Sequence, residues 1–561
     1  MASSGKKQNF LHGATLLAAA TAIVKLIGAF YKIPLKRIIG DLGYGYFVTA
    51  YDIYSVLLMI ATAGLPIAMS RMISQANSLN KYGEVRRVYK TARTIFLIIG
   101  LLSSLLMLIF CRELAAWQKQ PGAVTAIACL APCAFLMGVI STFRGFFQGQ
   151  ENMRPTSVSQ VLEAFFKLGV GLVLAYVLMK KTGSDALAAG GAILGVTFSC
   201  VISVLFLYKK FRPAYRELPE TDEEVSSAGA TAKQLLAIAV PITIGSAGLY
   251  LMTVIETGVY MNQIVDLIAT DRYTLPLVEI LKQSILEETP GISAADLHSQ
   301  VATNMKGIYN FAQTIFNMPG AFIIPITTSI LPAITAQLTR KQHDDVRATE
   351  ESAARITGLL SLPCTVGLCL LAGPVMSLLG GYSGDRLALA QPLMFLLAVG
   401  IFPYAVVQYT NVILQSHGKA TIPVIHMLLA GAVRLLLVFI FAGNPSLGII
   451  GVPIGGLICN SAIAALNLIA IRRIVPQKPK LLKNLLRPIL PTALMGLAVF
   501  GAYKGILLLL GESCSRIVLC GAPIAVGGVV YLIFAVVFKS ITRDDCLLLP
   551  KGEKLAKLLK L

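Results

Sequence analysis

Long apolar runs alternate with short polar breaks along the whole chain, and each run has the length, about 20 residues, that crosses a bilayer as a helix. The pattern predicts spans near 11–35, 44–69, 88–110, 121–143, 157–179 and 187–208, then near 233–257, 306–331, 356–379, 387–411, 422–442 and 448–470, with a last pair near 484–510 and 515–537. The expected fold class is an all-α integral membrane protein of about 14 transmembrane helices, arranged as two six-helix bundles and two C-terminal helices. An acidic stretch with Glu220, Asp222, Glu223 and Glu224 reads as a linker between halves. The expected domains are therefore an N-terminal lobe over 1–225, a C-terminal lobe over 226–475, and an additional pair of helices with a basic amphipathic tail over 476–561. The longest polar break, 258–305, predicts a short amphipathic helix over 275–286.

One pattern occurs twice. Thr142-Phe-Arg144-Gly-Phe-Phe-Gln148-Gly149-Gln-Glu151-Asn-Met-Arg154-Pro155 leads into a span holding Glu163 and Lys167. Tyr409-Thr-Asn411-Val-Ile-Leu-Gln415-Ser-His417-Gly418-Lys419-Ala-Thr-Ile-Pro423 leads into a span holding Arg434. Each copy has a glutamine, a proline seven or eight residues later and a cation about a dozen residues beyond. The segment from Ala63 to Ser70, with Pro66, also lies over Phe322 to Ser329, with Pro325, and Gly191 and Gly195 over Gly451 and Gly455. Six spans per half is an even number, so the copies enter the membrane in the same sense, as parallel repeats. That architecture lets two bundles rock about a midplane site.

Composition agrees: 56% of residues are hydrophobic, 14% are charged and mean hydropathy is +0.73, too apolar for a soluble globule. The net charge of +20 is spread over many loops, which fits anionic lipid at one membrane face and excludes a nucleic-acid partner. Lys and Arg concentrate in alternate loops, so the positive-inside rule puts both termini in the cytoplasm. The first apolar run has no cleavage site and is retained as a span. The cysteines have no metal spacing, no disulfide framework stands out, and there is no glycine loop of the ATPase kind. The acidic pairs Asp344-Asp345 and Asp544-Asp545 read as solvated faces rather than a glycosyl-transfer centre.

Charge inside a membrane is costly, about 2.5–3.5 kcal/mol per residue, so each buried ion needs a partner or a purpose. Lys25, Lys32 and Lys36 fall on one stripe of the first span and could form a cation ladder lining a path for an anion; the bland reading is snorkelling. Glu163 and Lys167, one turn apart with the carboxylate first, suit mutual neutralisation. Arg434 has no opposite charge in its own span. Arg144 and Arg71 are placed at the cytoplasmic mouth. Asp52 and Glu256 are the candidates for a coupling-ion site, or for partners of Lys25 or Lys32, and His426 reads as a hydrogen-bonded packing residue.

Val24-Lys25-Leu-Ile-Gly28-Ala-Phe-Tyr31-Lys32, Ile39-Gly40-Asp41-Leu-Gly43, Ala63-Gly64-Leu65-Pro66, Arg144-Gly-Phe-Phe-Gln148-Gly149, and Pro155 with Ser159-Gln160-Val-Leu-Glu163 together resemble the polysaccharide-transporter branch of the multidrug/oligosaccharidyl-lipid/polysaccharide exporter superfamily. Within it, the likeness is to MurJ-type lipid II flippases and stage V sporulation protein B proteins. The resemblance implies a non-enzymatic, two-lobed flippase of the bacterial cell membrane that moves an undecaprenyl-pyrophosphate-linked saccharide outward by alternating access. Lys25 matches a position where Gram-negative members carry an important cavity arginine; the next such arginine falls at Tyr31, with Lys32 beside it. The implied site is Lys25, Lys32, Arg434, Lys167, Glu163 and Arg144. No cofactor or metal is expected, the drive being Na+, H+ or the membrane potential. Expected partners are the lipid-linked pyrophosphate, membrane lipids and envelope-synthesis proteins, with the chain a monomer. Alternatives are a teichoic, capsular or sporulation-specific substrate, a cation-coupled drug antiporter, and a non-transporting scaffold.

Overall fold

A computed structural model of the protein describes residues 2–220, 225–511, 514–542 and 545. The expected amphipathic tail and Asp222, Glu223, Glu224 and Asp544 lie outside the described residues. The packing forms two compact units: Met1–Ala269 with Lys282–Gly307, and Thr270–Leu281 with Ile308–Leu561.

In the first unit, α1 (Ala2–Thr62), α2 (Leu65–Ser78), α3 (Tyr82–Ile109), α4 (Cys111–Trp117), α5 (Val124–Gly149), α6 (Arg154–Thr182), α7 (Asp185–Arg216) and α8 (Ala228–Ala269) follow one another. Then come α9 (Pro276–Glu288), over the expected amphipathic stretch, and α10 (Ala294–Thr339), whose residues are divided between the units. The second unit continues with α11 (His343–Leu370), α12 (Ala372–Gly380), α13 (Gly384–Val399), α14 (Ile401–Ser416), α15 (Thr421–Ala442), α16 (Gly451–Ile474), α17 (Leu481–Leu485), α18 (Ile489–Leu510) and α19 (Arg516–Val537). Among the described residues, twelve helical stretches are long and apolar enough to cross a membrane. This is the expected all-α membrane class. The first of the twelve, Leu26–Ser78, is 53 residues long and reaches into both of the first two expected spans; α10, 46 residues long, is not among the twelve.

Three features of these helices have physical causes. The first two expected spans follow one another within α1 as two helical segments joined at a kink, where Gly40 takes φ 66°, a conformation that suits a residue without Cβ. Pro66 does not bend a span; it occupies the first turn of α2, where its missing N–H costs nothing, whereas Pro325 lies within continuous α10. Helix α8 packs on α1, α2 and α3, so the first compact unit runs past the expected lobe boundary at 225/226.

The repeated pattern folds the same way in each unit. After Gln148 the amide of Glu151 bonds to the Gln148 carbonyl and that of Asn152 to Phe147; after Gln415 the amide of Gly418 bonds to Gln415 and that of Lys419 to Leu414. The third residue is left-handed in both, Glu151 at φ 59° and Gly418 at φ 71°. A proline then opens the next helix in the first copy. The glutamine and proline mark a helix C-terminus and the following N-terminus, which is why their spacing recurs. A Cβ added at Gly418 would meet open space, so Gly418→Ala loses only backbone freedom and is expected to cost about 1 kcal/mol. Glu151→Gly should be neutral or slightly stabilising. Thermal unfolding of both variants in detergent measures this, and a stability gain for Gly418→Ala would contradict it.

Candidate functional site

The charged residues of the first unit gather on α1, α5, α6, α8 and α10. Lys306 anchors one end. Its side chain is fully buried; its ammonium donates to Thr49 Oγ1 at 2.6 Å and lies 3.9 Å from Asp52 Oδ2. Thr49 and Asp52 are three residues apart on α1 and so share a face. The Thr49 hydroxyl is within reach of Gln120 Oε1 at 2.7 Å and the Gly45 carbonyl at 3.0 Å. This placement requires the helices to touch at their backbones: a Cβ on Gly307 would collide with the Asp41 carbonyl oxygen. Burying an ammonium costs several kcal/mol, which only close oxygens such as these can offset.

Arg144 anchors the other end. It is mostly buried, donating from Nε to Ser159 Oγ and from Nη2 to Glu163 Oε2, both at 3.0 Å. The rest of its motif is packing: Phe146 stacks edge-on with Tyr89 at 5.6 Å and Phe211 at 5.0 Å. Lys167 is one turn beyond Glu163 on α6. Its ammonium lies 4.5 Å from the centre of the Tyr51 ring and 5.5 Å from that of Tyr31, within cation–π range. The hydroxyl oxygens of Tyr31 and Tyr51 are buried and have no hydrogen-bond partner among the described residues. Lys32 joins the two ends, within electrostatic reach of both Asp52 and Lys167, and buried Glu256 acts on Asp52 as well. Among the described residues, four cations thus stand against three carboxylates. With all ionised, the cluster keeps net positive charge.

Five of the residues singled out from sequence, Lys32, Asp52, Arg144, Glu163 and Lys167, are brought together here, with Glu256 close to Asp52. Several details differ. Glu163 pairs with Arg144 instead of simply neutralising Lys167, because an arginine on α5 reaches it with better geometry. Arg144, near the C-terminal end of α5, is mostly buried in this pair. Asp52 meets Lys306, a cation outside those considered for it. Lys36 leaves the proposed ladder: it is buried in an ion pair with Asp41 at 3.3 Å, across the Gly40 kink. The side chain of Lys25 lies outside the described residues. Lys306 itself was missed because it falls at the edge of the apolar run, where a lysine looks interfacial; α10 begins twelve residues earlier, at Ala294.

In the second unit, half-buried Arg434 lines a cavity of about 60 Å³ with Tyr309, Gln313, Phe316 and Asn460. His426 Nδ1 is 2.7 Å from Asn467 Oδ1, and Asn467 donates to Thr410 and Asn411, so this histidine is a hydrogen-bonded packing residue. Glu350, fully buried, meets His417 at 2.7 Å, which ties the second turn of the repeat to α11. The acidic pair expected to be solvated is corrected at Asp545, whose buried carboxylate accepts from Arg355 Nη2 at 2.9 Å and from Ser352. A basic partner on α11 draws it inward.

The chain is thus a multi-pass helical membrane protein with compensated charge inside its helices. The profile described as "Polysaccharide biosynthesis protein" matches residues 10–338, more than half of the chain, and the chain belongs to that family. A second profile, "Lipid II flippase MurJ", matches residues 293–514. The "Uncharacterized membrane protein YabM" of Bacillus subtilis (strain 168) is 26% identical, over 100% of this chain and 98% of that protein. "Stage V sporulation protein B" of the same organism is 22% identical, over 97% and 98%. The structure "Lipid II flippase MurJ, inward closed conformation" superposes with a TM-score of 0.65 at 14% identity, covering 93% of this chain and 98% of that one. The fold is shared with that flippase.

Breaking a buried ion pair from one side leaves the other charge without its partner. Lys306→Met is therefore expected to destabilise the protein by about 3 kcal/mol, and adding Asp52→Asn to recover part of the loss. Denaturation midpoints of the single and double variants check this; a double variant as unstable as the summed singles would show no coupling.

Proposed function

We propose that the protein is a flippase for a lipid-linked saccharide pyrophosphate, with lipid II, the peptidoglycan precursor, as the first substrate to test. The observation that carries this reading is Lys167 seated on two tyrosines whose buried hydroxyls have no acceptor among the described residues, inside a cluster of net positive charge. A pyrophosphate oxygen would supply an acceptor for the tyrosine hydroxyls and, for the ammonium, a negative partner besides Glu163. Sugars and phosphates cannot enter hydrocarbon unaided, and fixed cations in a protein cavity replace their hydration. Lys25, Lys32, Lys167 and Arg434 are the proposed anion contacts, with Arg144 and Glu163 positioning Lys167. The likeness to stage V sporulation protein B supports a sporulation-specific saccharide as the second substrate to test.

In this reading the chain is a monomer in the bacterial cell membrane with both termini cytoplasmic, working beside envelope-synthesis proteins. An anion moving outward gains about 2.3 kcal/mol per charge per 100 mV from an inside-negative potential. The potential, or Na+ or H+ acting at Asp52 and Glu256, is the proposed drive. No other cofactor is invoked.

Expression in a bacterium depleted of its own flippase should restore growth, and Lys167→Ala and Arg434→Ala should each lower lipid II flipping at least tenfold at equal protein level. Full activity in both variants would refute the cationic-site reading. In vesicles, collapsing the potential with an ionophore should slow flipping; a rate indifferent to potential and to every ion gradient would remove the coupling proposal alone.

A further inference from the structure

A second pocket stands apart from these sites, where α16 ends and α17 begins in the second unit. It has a volume of about 620 Å³, in the range of ligand-binding cavities. Its wall is apolar, with Leu468, Leu482 and Leu486, and its cations are Arg472, Lys480 and Lys483; none of the described residues lining it is acidic. The three cations are exposed and Leu482 is 46% exposed, so an open greasy surface adjoins an open cationic one.

The turn that shapes the pocket is held in place from beneath. Lys478 takes a left-handed φ of 43°. Gln477 Nε2 is 2.7 Å from His343 Nδ1, and the Lys480 amide donates to Glu351 Oε1 at 3.0 Å. Asn484 Nδ2 returns a bond to the Lys480 carbonyl, while Asn484 Oδ1 accepts from Arg355 at 3.0 Å. Glu351, the acidic group touching this turn, is also bonded to Arg347. It fastens the backbone of Lys480, whose ammonium remains exposed.

We infer that this pocket binds an anionic phospholipid of the surrounding bilayer, its phosphate against Arg472, Lys480 and Lys483 and an acyl chain along Leu468, Leu482 and Leu486. Three cations, with no counter-carboxylate among the described residues of the lining, select a negative headgroup over a zwitterionic one. The apolar wall, continuous with the end of an apolar span over Gly448–Ile474, suits a chain that stays in the hydrocarbon. A basic pocket between helix ends at a membrane face is the setting in which such headgroups are recognised. The inference is independent of the flippase reading.

Native mass spectrometry of the purified full chain, titrated with diphosphatidylglycerol or phosphatidylcholine, tests it. Retention of diphosphatidylglycerol over phosphatidylcholine is expected, and Arg472→Ala, Lys480→Ala and Lys483→Ala together should weaken it by roughly fivefold per cation removed. Lys209→Ala with Lys210→Ala, on α7, should leave it unchanged. Lys483→Gln alone, at an exposed position outside the turn's hydrogen bonds, keeps the comparison decisive should the triple variant not fold. Wild-type affinity in the pocket variants would overturn the inference, as would equal loss in the α7 variant. Displacement of the phospholipid by equimolar undecaprenyl diphosphate would assign the pocket to that lipid and overturn it too.

Discussion

A charge that cannot reach water must be met by another charge or dipole, and that constraint organises the first unit. Lys306 is fully buried on α10, and its ammonium is held only because Thr49 and Asp52 stand on one face of α1. Backbone contact between Gly307 and Asp41 brings those oxygens within reach. The cluster then extends by the same logic: Lys32 near Asp52, Lys167 near Lys32 and Glu163, and Glu163 bound by Arg144. The opposite charges along this chain stabilise one another, whereas Lys32 and Lys167 repel. The assembly is a fixed electrostatic surface rather than a set of loose side chains, and its surplus positive charge fits an anion better than a cation.

The second unit uses the shared turn differently. In the first copy, Arg144 four residues before Gln148 pairs with Glu163 on the following helix. The residue four before Gln415 is Asn411, which accepts from Asn467, and the cation of the following helix, Arg434, faces a small cavity of mixed lining. The backbone device was kept while the chemistry mounted on it diverged. The carboxylates of this unit serve packing instead: Glu350 holds His417, and Asp545 ties the segment after α19 to Arg355 on α11.

The family assignment and the site geometry rest on different grounds. A sequence profile spanning more than half the chain establishes the family, and superposition with a lipid II flippase establishes the fold. Neither specifies what binds. The cationic cluster, with its tyrosines, is the feature that points the proposed ligand toward an anion with acceptor oxygens.

Helical class, the approximate position of nearly every span, the amphipathic helix at 276–288 and the duplicated turn were legible in the sequence because each depends on local rules. Apolar length sets a span, and glutamine, left-handed residue and proline mark a helix end and the next beginning. Six cluster members, all but Lys306, were legible for a related reason: an ionised residue in an apolar run is conspicuous wherever it points. Their partners were not. That Glu163 meets Arg144, that Lys36 is taken up by Asp41 and that Asp52 is claimed by Lys306 follows from which helices cross at which residue. Such crossings depend on backbone contacts between segments up to 257 residues apart. Sequence determined how many charges the membrane interior must accommodate; tertiary structure alone decided which neutralise one another and which remain for a ligand, because Coulomb energy depends on distances that no local pattern encodes.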